Sequence, residues 1–311
     1  MPRNNTKRAS QHKKVLFTTR KAWKEKMSNK ADWLAGKIED LDDEAFIEVV
    51  DKMAERSAKT EDDIKDGLVM IGEDGDDVQE HIDAWGKFHG VSTGWQGVDA
   101  LTYGWEPGEL IIMGGEPGVG KSAFIIALAV NLAKQALMPT IVSMELTKKQ
   151  VQIRTAKNYG EHWRELPILL QEQQMIRRRD FNAIVTKAKE GGSELIIVDY
   201  LQMLKDDTDN EHREISRIVR ELKLLALKHQ LIIIAISSLN RSRDAETGLQ
   251  MKDLNGSGSL EYYADQVIFL ERTETEGTIR AKIVKNRSNP LNWKDNYRFL
   301  TFDGSNFKDT Y

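Results

Sequence analysis

The sequence predicts an α/β fold built on a mostly parallel sheet, and three observations predict it. From about residue 91 onward, short apolar runs alternate with stretches of helical periodicity, the pattern of parallel strands joined by crossover helices. The segment Gly115-Glu116-Pro117-Gly118-Val119-Gly120-Lys121-Ser122 matches G-x-x-x-x-G-K-[ST] in full, between the apolar run 110–113 and a helical-looking stretch. Toward the C-terminus the last three apolar runs have shorter connections, which suggests an antiparallel extension of the sheet.

Taken in chain order, the α/β region is preceded by two segments of different character. The 311 residues carry a net charge of −4, but residues 1–30 hold ten Lys/Arg against Glu25 alone, for +9, residues 31–86 come to −14, and the rest to about +1. Residues 1–30 have few apolar side chains and read as a basic, disordered arm able to attract nucleic acid or an acidic partner. A transit peptide fits this stretch less well, because it is richer in Lys than in Arg and weakly amphipathic. Residues 31–90 read as an acidic, helical linker region, in which Phe46, Ile47, Val50 and Met53 recur at helical spacing. Glu73-Asp74-Gly75-Asp76-Asp77 lacks the register of a calcium loop and reads as solvated linker.

Residues 91–311 form the third segment. Strands are expected at 110–113, 140–144, 195–198, 231–236, 266–270, 279–284 and 297–302. The clearest helix covers 211–229, with Ile215, Ile218, Val219, Leu222, Leu225 and Ala226 on one face. At 40% apolar content the chain can bury a substantial core, and no apolar run approaches the 18 residues of a membrane span. The absence of cysteine excludes a disulfide framework and any thiolate metal site, and it fits a reducing, cytoplasmic setting.

The G-x-x-x-x-G-K-[ST] match marks a phosphate-binding loop and hence a nucleoside triphosphatase. Its glycines let the backbone curl so that several N–H groups point at one phosphate chain, and the following helix adds the positive end of its dipole. The nucleotide-binding residues are then 115–123, ending at Ala123. Lys121 would reach the β- and γ-phosphates and the Ser122 hydroxyl would ligate Mg²⁺. Open α/β sheets bind ligands at the carboxyl ends of their strands, where two carboxylates are expected. Asp199 ends the run 195–198 and would hold Mg²⁺ through its water shell. Glu145 ends the run 140–144 and either polarises the attacking water or serves as a cap or first-turn charge of the next helix; pattern alone leaves both open.

Around these residues the motifs stand in a specific order. Ser92-Thr93-Gly94-Trp95, Leu101 and Gly104 precede the loop; Ser143-Met144-Glu145-Leu146 and Asp199-Tyr200-Leu201-Gln202 follow it. Next come Glu214-Ile215-Ser216-Arg217, Ser238-Leu239-Asn240-Arg241, Gly256-Ser257-Gly258-Ser259-Leu260-Glu261 with Ala264-Asp265, and Lys285-Asn286-Arg287. This set resembles the replicative hexameric DNA helicases of the DnaB family in their C-terminal RecA-like ATPase domain, over residues 91–302. The resemblance implies a RecA-like fold, Mg²⁺-ATP bound by Lys121, Ser122 and Asp199, and water activated by Glu145. It also implies a homohexameric ring acting on single-stranded DNA, in a bacterial or phage-infected cell. Lys285 and Arg287 match the family's lysine and arginine-finger pair, which reaches the γ-phosphate of the neighbouring subunit. Lys252, Asn255, Gly256, Ser257 and Gly258 match the loop that lines the central channel and grips DNA phosphates.

The sequence departs from the family in three places. Ser238 stands where a Gln is usual, so the group expected to sense the γ-phosphate is missing, with Gln202 or Asn240 as substitutes. Asn255 replaces a common Arg, and the other channel candidate, Lys205-Asp206-Asp207-Thr208-Asp209, is acidic. The family's primase-interacting N-terminal domain has no room in residues 1–90, as in a compact phage or plasmid helicase. The helix near 43–53 either docks on the adjacent subunit or folds onto its own core, and a primase or loader contact would fall to this region. Three functions stay open: a ring-forming replicative helicase, a RecA-like recombination or annealing ATPase, and a helicase accessory or assembly ATPase without unwinding activity.

Overall fold

A computed structural model describes residues 88–206, 211–240, 248–289 and 295–310. The expected basic arm and, apart from residues 88–90, the acidic linker with its amphipathic helix lie outside the described residues. Helix α1 (Gln96–Thr102) precedes strand β1 (Leu110–Gly115), then α2 (Lys121–Lys134), β2 (Pro139–Ser143), α3 (Lys148–Tyr159), β3 (Leu169–Glu172), β4 (Ile176–Arg177) and α4 (Arg178–Glu190). There follow β5 (Leu195–Asp199), the 3-10 turn Leu201–Met203, β6 (Leu204–Lys205), α5 (Glu211–His229) and β7 (Ile232–Ser237). A second 3-10 turn (Met251–Asp253) leads to α6 (Ser257–Tyr263), β8 (Gln266–Arg272), β9 (Thr278–Asn286), β10 (Tyr297–Phe302) and β11 (Phe307–Thr310).

Nine strands form one sheet in the order β11-β10-β9-β8-β1-β7-β5-β2-β3. From β8 to β3 all neighbours are parallel, whereas β9, β10 and β11 add as antiparallel strands. The apolar runs of the central strands follow from burial on both faces. Alternate side chains point to opposite sides: Ile111, Met113, Ile197 and Ile234 pack with Phe124 and Leu128 of α2. Leu110, Ile112, Val198 and Ile233 pack with Ile218 and Leu222 of α5. Strand β9 instead alternates buried Ile279, Ala281 and Ile283 with half-exposed residues, because only one of its faces meets a core.

Two expectations are corrected. Of the last three predicted runs, only β9 and β10 are antiparallel extensions, for β8 pairs with β1 in parallel. The segment 238–265 between β7 and β8 is long enough for a crossover and carries α6. Strands β3 and β11 are additions to the expected set. Both are short and lie on the sheet edges, and their burial patterns lack the apolar run of a central strand.

The chain's far end locks the fold near the phosphate loop. Trp95 stacks on Phe124 at 4.6 Å between ring centroids, Phe307 meets Phe124 edge-on at 5.5 Å, and Trp95 Nε1 donates to the Phe307 carbonyl at 2.8 Å. Among the described residues no helix is long and apolar enough to cross a membrane.

Candidate functional site

The loop between β1 and α2 has the shape its motif predicts. Gly120 caps α2 at φ +104°, a backbone state that residues with a Cβ rarely adopt, and as a glycine it makes no side-chain cap hydrogen bond to the first turn. That end is therefore open to an anion. Lys121 Nζ folds back to donate to the carbonyls of Gly115 (2.7 Å) and Glu116 (2.9 Å). Burial pulls the Lys121 pKa below the ordinary lysine value, opposed by the carboxylates of Asp199, Glu145 and Glu116. The lysine is thus held by two carbonyl partners at the mouth of the loop.

Four strand ends bring the polar residues together. Parallel register places Gly114 of β1 beside Ser237 of β7, and Ser143 of β2 beside Asp199 of β5. Asp199 is 2% exposed, and its Oδ2 has no hydrogen-bond partner. Burial pushes its pKa up to about 6, with the Glu145 charge adding to the rise; a hydrogen bond from Ser122 and the charges of Lys121 and Arg154 oppose it. A buried carboxylate with one free oxygen beside the first hydroxyl of α2 offers the hard oxygen donors that Mg²⁺ would take. Ser122 and Asp199, predicted as a pair, lie together, and the buried Oδ2 without a partner is compatible with a hard cation there.

Glu145 is exposed and sits in the turn after β2. The cap of α3 is Thr147, whose side chain accepts from the Gln150 N–H in a reciprocal capping box. That removes the capping alternative and leaves the Glu145 carboxylate uncommitted to the helix, close enough to act electrostatically on both Lys121 and Asp199.

Sequence reasoning missed two neighbours of the loop. Arg272, at the end of β8, donates to the Pro117 carbonyl at 2.9 Å and lies 3.6 Å from the Glu116 carboxylate. Arg154 of α3 acts on Asp199 through its charge. Arg272 can be placed only once β8 is known to run parallel to β1, which pairs Leu270 with Gly115.

Lys285 and Arg287 lie elsewhere. Gln266, at the start of β8, pairs with both Ile111 and Asn286, so the pair sits about four residues, roughly 13 Å, below the phosphate loop along the strands. There Lys285 Nζ donates to the carbonyls of Glu261 and Ala264, the latter at 2.6 Å, and Arg287 Nη2 donates to Tyr262 O at 2.6 Å. These cations complete the C-terminal end of α6. The Arg287 guanidinium, half exposed, also lies 3.6 Å from Asp265, whose other oxygen accepts from Lys223 at 2.6 Å. Burial and the neighbouring Arg287 charge pull the Lys285 pKa below the ordinary value.

The candidate channel loop is ordered at its base. Asn255 N–H donates to Ser238 O at 3.0 Å, and Gly256 takes φ +83° against the Ile215 side chain, where a Cβ would collide. Ser257 and Gly258 open α6, and Gly258 faces open space. Lys252 is exposed on the 3-10 turn. Of the acidic candidate, residues 207–209 lie outside the described residues; Asp206 accepts from Arg178 and Arg217, and Lys205 pairs with Glu214. Of the two substitutes for the missing Gln, Gln202 reaches Ser237 and Ser238. Asn240 instead bonds the carbonyls of Lys252 and Leu254.

The family model described as DnaB-like helicase C terminal domain matches residues 90–161 and 155–300. The chain is 30% identical over 292 residues to the replicative DNA helicase DnaC of Bacillus subtilis (strain 168), covering 82% of this chain and 64% of that protein. It therefore spans just under two thirds of that relative's length. Among solved structures it is similar to a DnaB-like replicative helicase described with its interactions with primase, with a TM-score of 0.66 and 24% identity over 97% of this chain and 80% of that one. It is also similar to a second solved chain, described as an ATPase domain, with a TM-score of 0.69 and 24% identity over 79% of this chain and all of that one. At these identities the structural likeness shows a shared RecA-like fold.

Proposed function

Because the chain belongs to the family of DnaB-like helicase C-terminal domains, we propose that it is the ATP-hydrolysing motor of a ring-forming helicase, moving on single-stranded DNA and parting duplex ahead of it. The family match favours a helicase over the alternatives, and one observation supports its assembly from several copies. The phosphate loop, Asp199 and Glu145 occupy the carboxyl ends of the parallel strands, whereas Lys285 and Arg287 occupy the other end of the same sheet. A single chain does not bring both sets to one nucleotide, whereas head-to-tail packing of copies would.

In that ring the loop N–H groups and Lys121 bind the phosphates, and Ser122 and Asp199 hold magnesium. A magnesium ion held by these two residues would supply positive charge to offset that of the phosphates. Glu145 orients the attacking water and accepts its proton. Lys285 and Arg287 of the preceding subunit stabilise the charge on the transferring phosphoryl group, so hydrolysis depends on assembly. Lys252, Asn255, Gly256, Ser257 and Gly258 contact the DNA backbone, largely through main-chain N–H groups that read no sequence. Six copies, a primase or loader contact through residues 1–90, and a bacterial or phage-infected cytoplasm complete the proposal.

Strand displacement on forked DNA tests it, with particle images from the same preparation and Lys121→Ala as control. The expected outcome is closed rings, ATP-dependent unwinding, and none with Lys121→Ala. Filaments that pair strands, or hydrolysis without displacement at any protein concentration, would overturn it.

A further inference from the structure

Strands β5 and β7 leave the sheet side by side, and one side chain joins their ends. Gln202, three residues past Asp199, donates from Nε2 to Ser237 Oγ at 3.0 Å and accepts at Oε1 from the Ser238 N–H at 3.1 Å. Both ends of the amide are engaged, so two bonds fix the side chain. Ser237 is the register partner of Gly114, one residue ahead of the phosphate loop.

Beyond Ser238 the chain stays tied to the second 3-10 turn. Ser238 O accepts from Asn255 N–H, Leu239 bridges to Leu254, and Asn240 N–H donates to Asp253 O at 2.7 Å. Asn240 Nδ2 adds bonds to Lys252 O (2.9 Å) and Leu254 O (3.1 Å). Residues 238–240 and 252–255 are therefore one hydrogen-bonded unit, continuous with the Gly256 turn and α6. Leu201 anchors the other side, fully buried beside Gln202. Strands β5 and β7 pair through their backbones only as far as Val198 and Ala235, so beyond that register the Gln202 amide is a side-chain link between the end of β5 and the unit of residues 238–240 and 252–255.

We propose that Gln202 is the positioning residue that carries the state of the Asp199 side of the nucleotide site into segment 252–258. It rests on the helicase reading of that site, in which segment 252–258 holds the DNA strand. Gln202 need touch neither nucleotide nor DNA; it acts by holding the end of β7 in register with the end of β5. Losing both hydrogen bonds removes a coupling of roughly ten-fold.

The test uses the full chain, comparing hydrolysis with and without a polythymidine single strand and measuring affinity for a fluorescent ATP analogue. Gln202→Met keeps the length of the side chain and loses both bonds. Stimulation by DNA should fall roughly ten-fold, while nucleotide affinity stays within about two-fold of the parent. Unchanged stimulation overturns the proposal, and so does an equal fall in nucleotide affinity, which would make Gln202 part of the pocket's general structure. Ser237→Ala removes one of the two Gln202 bonds, together with the longer bond from Ser237 Oγ to the Ser238 carbonyl at 3.3 Å, and should cost roughly three-fold; this variant decides the matter alone if Gln202→Met does not fold. Combined, the two substitutions should do no more than Gln202→Met by itself, and an additive loss counts against the link. A parent chain whose hydrolysis ignores DNA overturns both this proposal and the helicase reading, whereas a stimulated parent with an indifferent variant overturns this proposal alone.

Discussion

Asp199 sets ligand binding against stability. Its folded pKa of about 6 lies above the ordinary value of 3.8, because burial disfavours the ionised form. Between those two pH values the native chain keeps a proton that the unfolded chain has lost, so stability falls as pH rises through that window. Above it the full cost remains, at most about 3 kcal/mol for a shift of this size. Asp199→Asn should therefore stabilise the metal-free protein in urea unfolding at pH 8 by up to that amount, and by nearly nothing near pH 3, below both values. An equal gain at both pH values would mean that charge burial is not the cause. Arg272 works by shape instead. Its planar fork serves the Pro117 carbonyl and lies near the Glu116 carboxylate at the back of the phosphate loop. Arg272→Ala should raise the KM for ATP several-fold, and Arg272→Lys should restore little, since an ammonium lacks the planar fork that meets both groups. Full recovery with lysine would reduce Arg272 to a point charge.

Helix α2 carries the phosphate site on its first turn, so whatever holds the helix also aims the site. Phe124, one turn in, is clamped between Trp95 and Phe307, from segments far apart in the sequence. Phe124→Ala should cost about 3–5 kcal/mol of stability, and Phe124→Leu less than about 1.5 kcal/mol. Paired urea unfolding and ATP-affinity measurements should show both falling together for alanine; a stable variant with normal affinity would show that the clamp does not aim the site. This clamp also shows where sequence reading stops. The central strands are legible because burial on two faces writes a continuous apolar run, and α5 because burial on one face writes a 3.6-residue period. The phosphate loop is legible because its chemistry lies within eight consecutive residues. Edge strands β3 and β11 pair on one side and write no such run. Arg272 meets Pro117 across 155 residues of chain, and Gln202 meets Ser237 across 35, so neither contact leaves a local pattern. The parallel orientation of β8 escapes the sequence because α6, the short helix that makes a crossover possible, writes too little periodicity to be recognised beforehand.

The sheet as a whole separates the two halves of the proposed active site, and that separation can be counted. If Lys285 and Arg287 served the nucleotide of their own chain, Lys121→Ala and Arg287→Ala chains would each be inactive, and a mixture of them would be inactive too. If they serve the next subunit, a mixed ring contains interfaces where an intact phosphate loop meets an intact Arg287. With equal amounts of the two variants, assembled at random from dissociated subunits, roughly a quarter of interfaces are complete when each acts independently. Hydrolysis should then recover toward that fraction of the parent rate, following the product of the two mole fractions and peaking at the equal mixture. Strand displacement should recover less, because a ring with most interfaces broken cannot pass DNA from subunit to subunit. Asp265 supplies the control: it ties Arg287 to Lys223 and to the Leu110 N–H within one chain. Asp265→Asn placed in the Lys121→Ala chain should lower the recovered rate, whereas the same change in the Arg287→Ala chain should not. Recovery indifferent to which partner carries the change would argue against a finger positioned within the subunit that donates it.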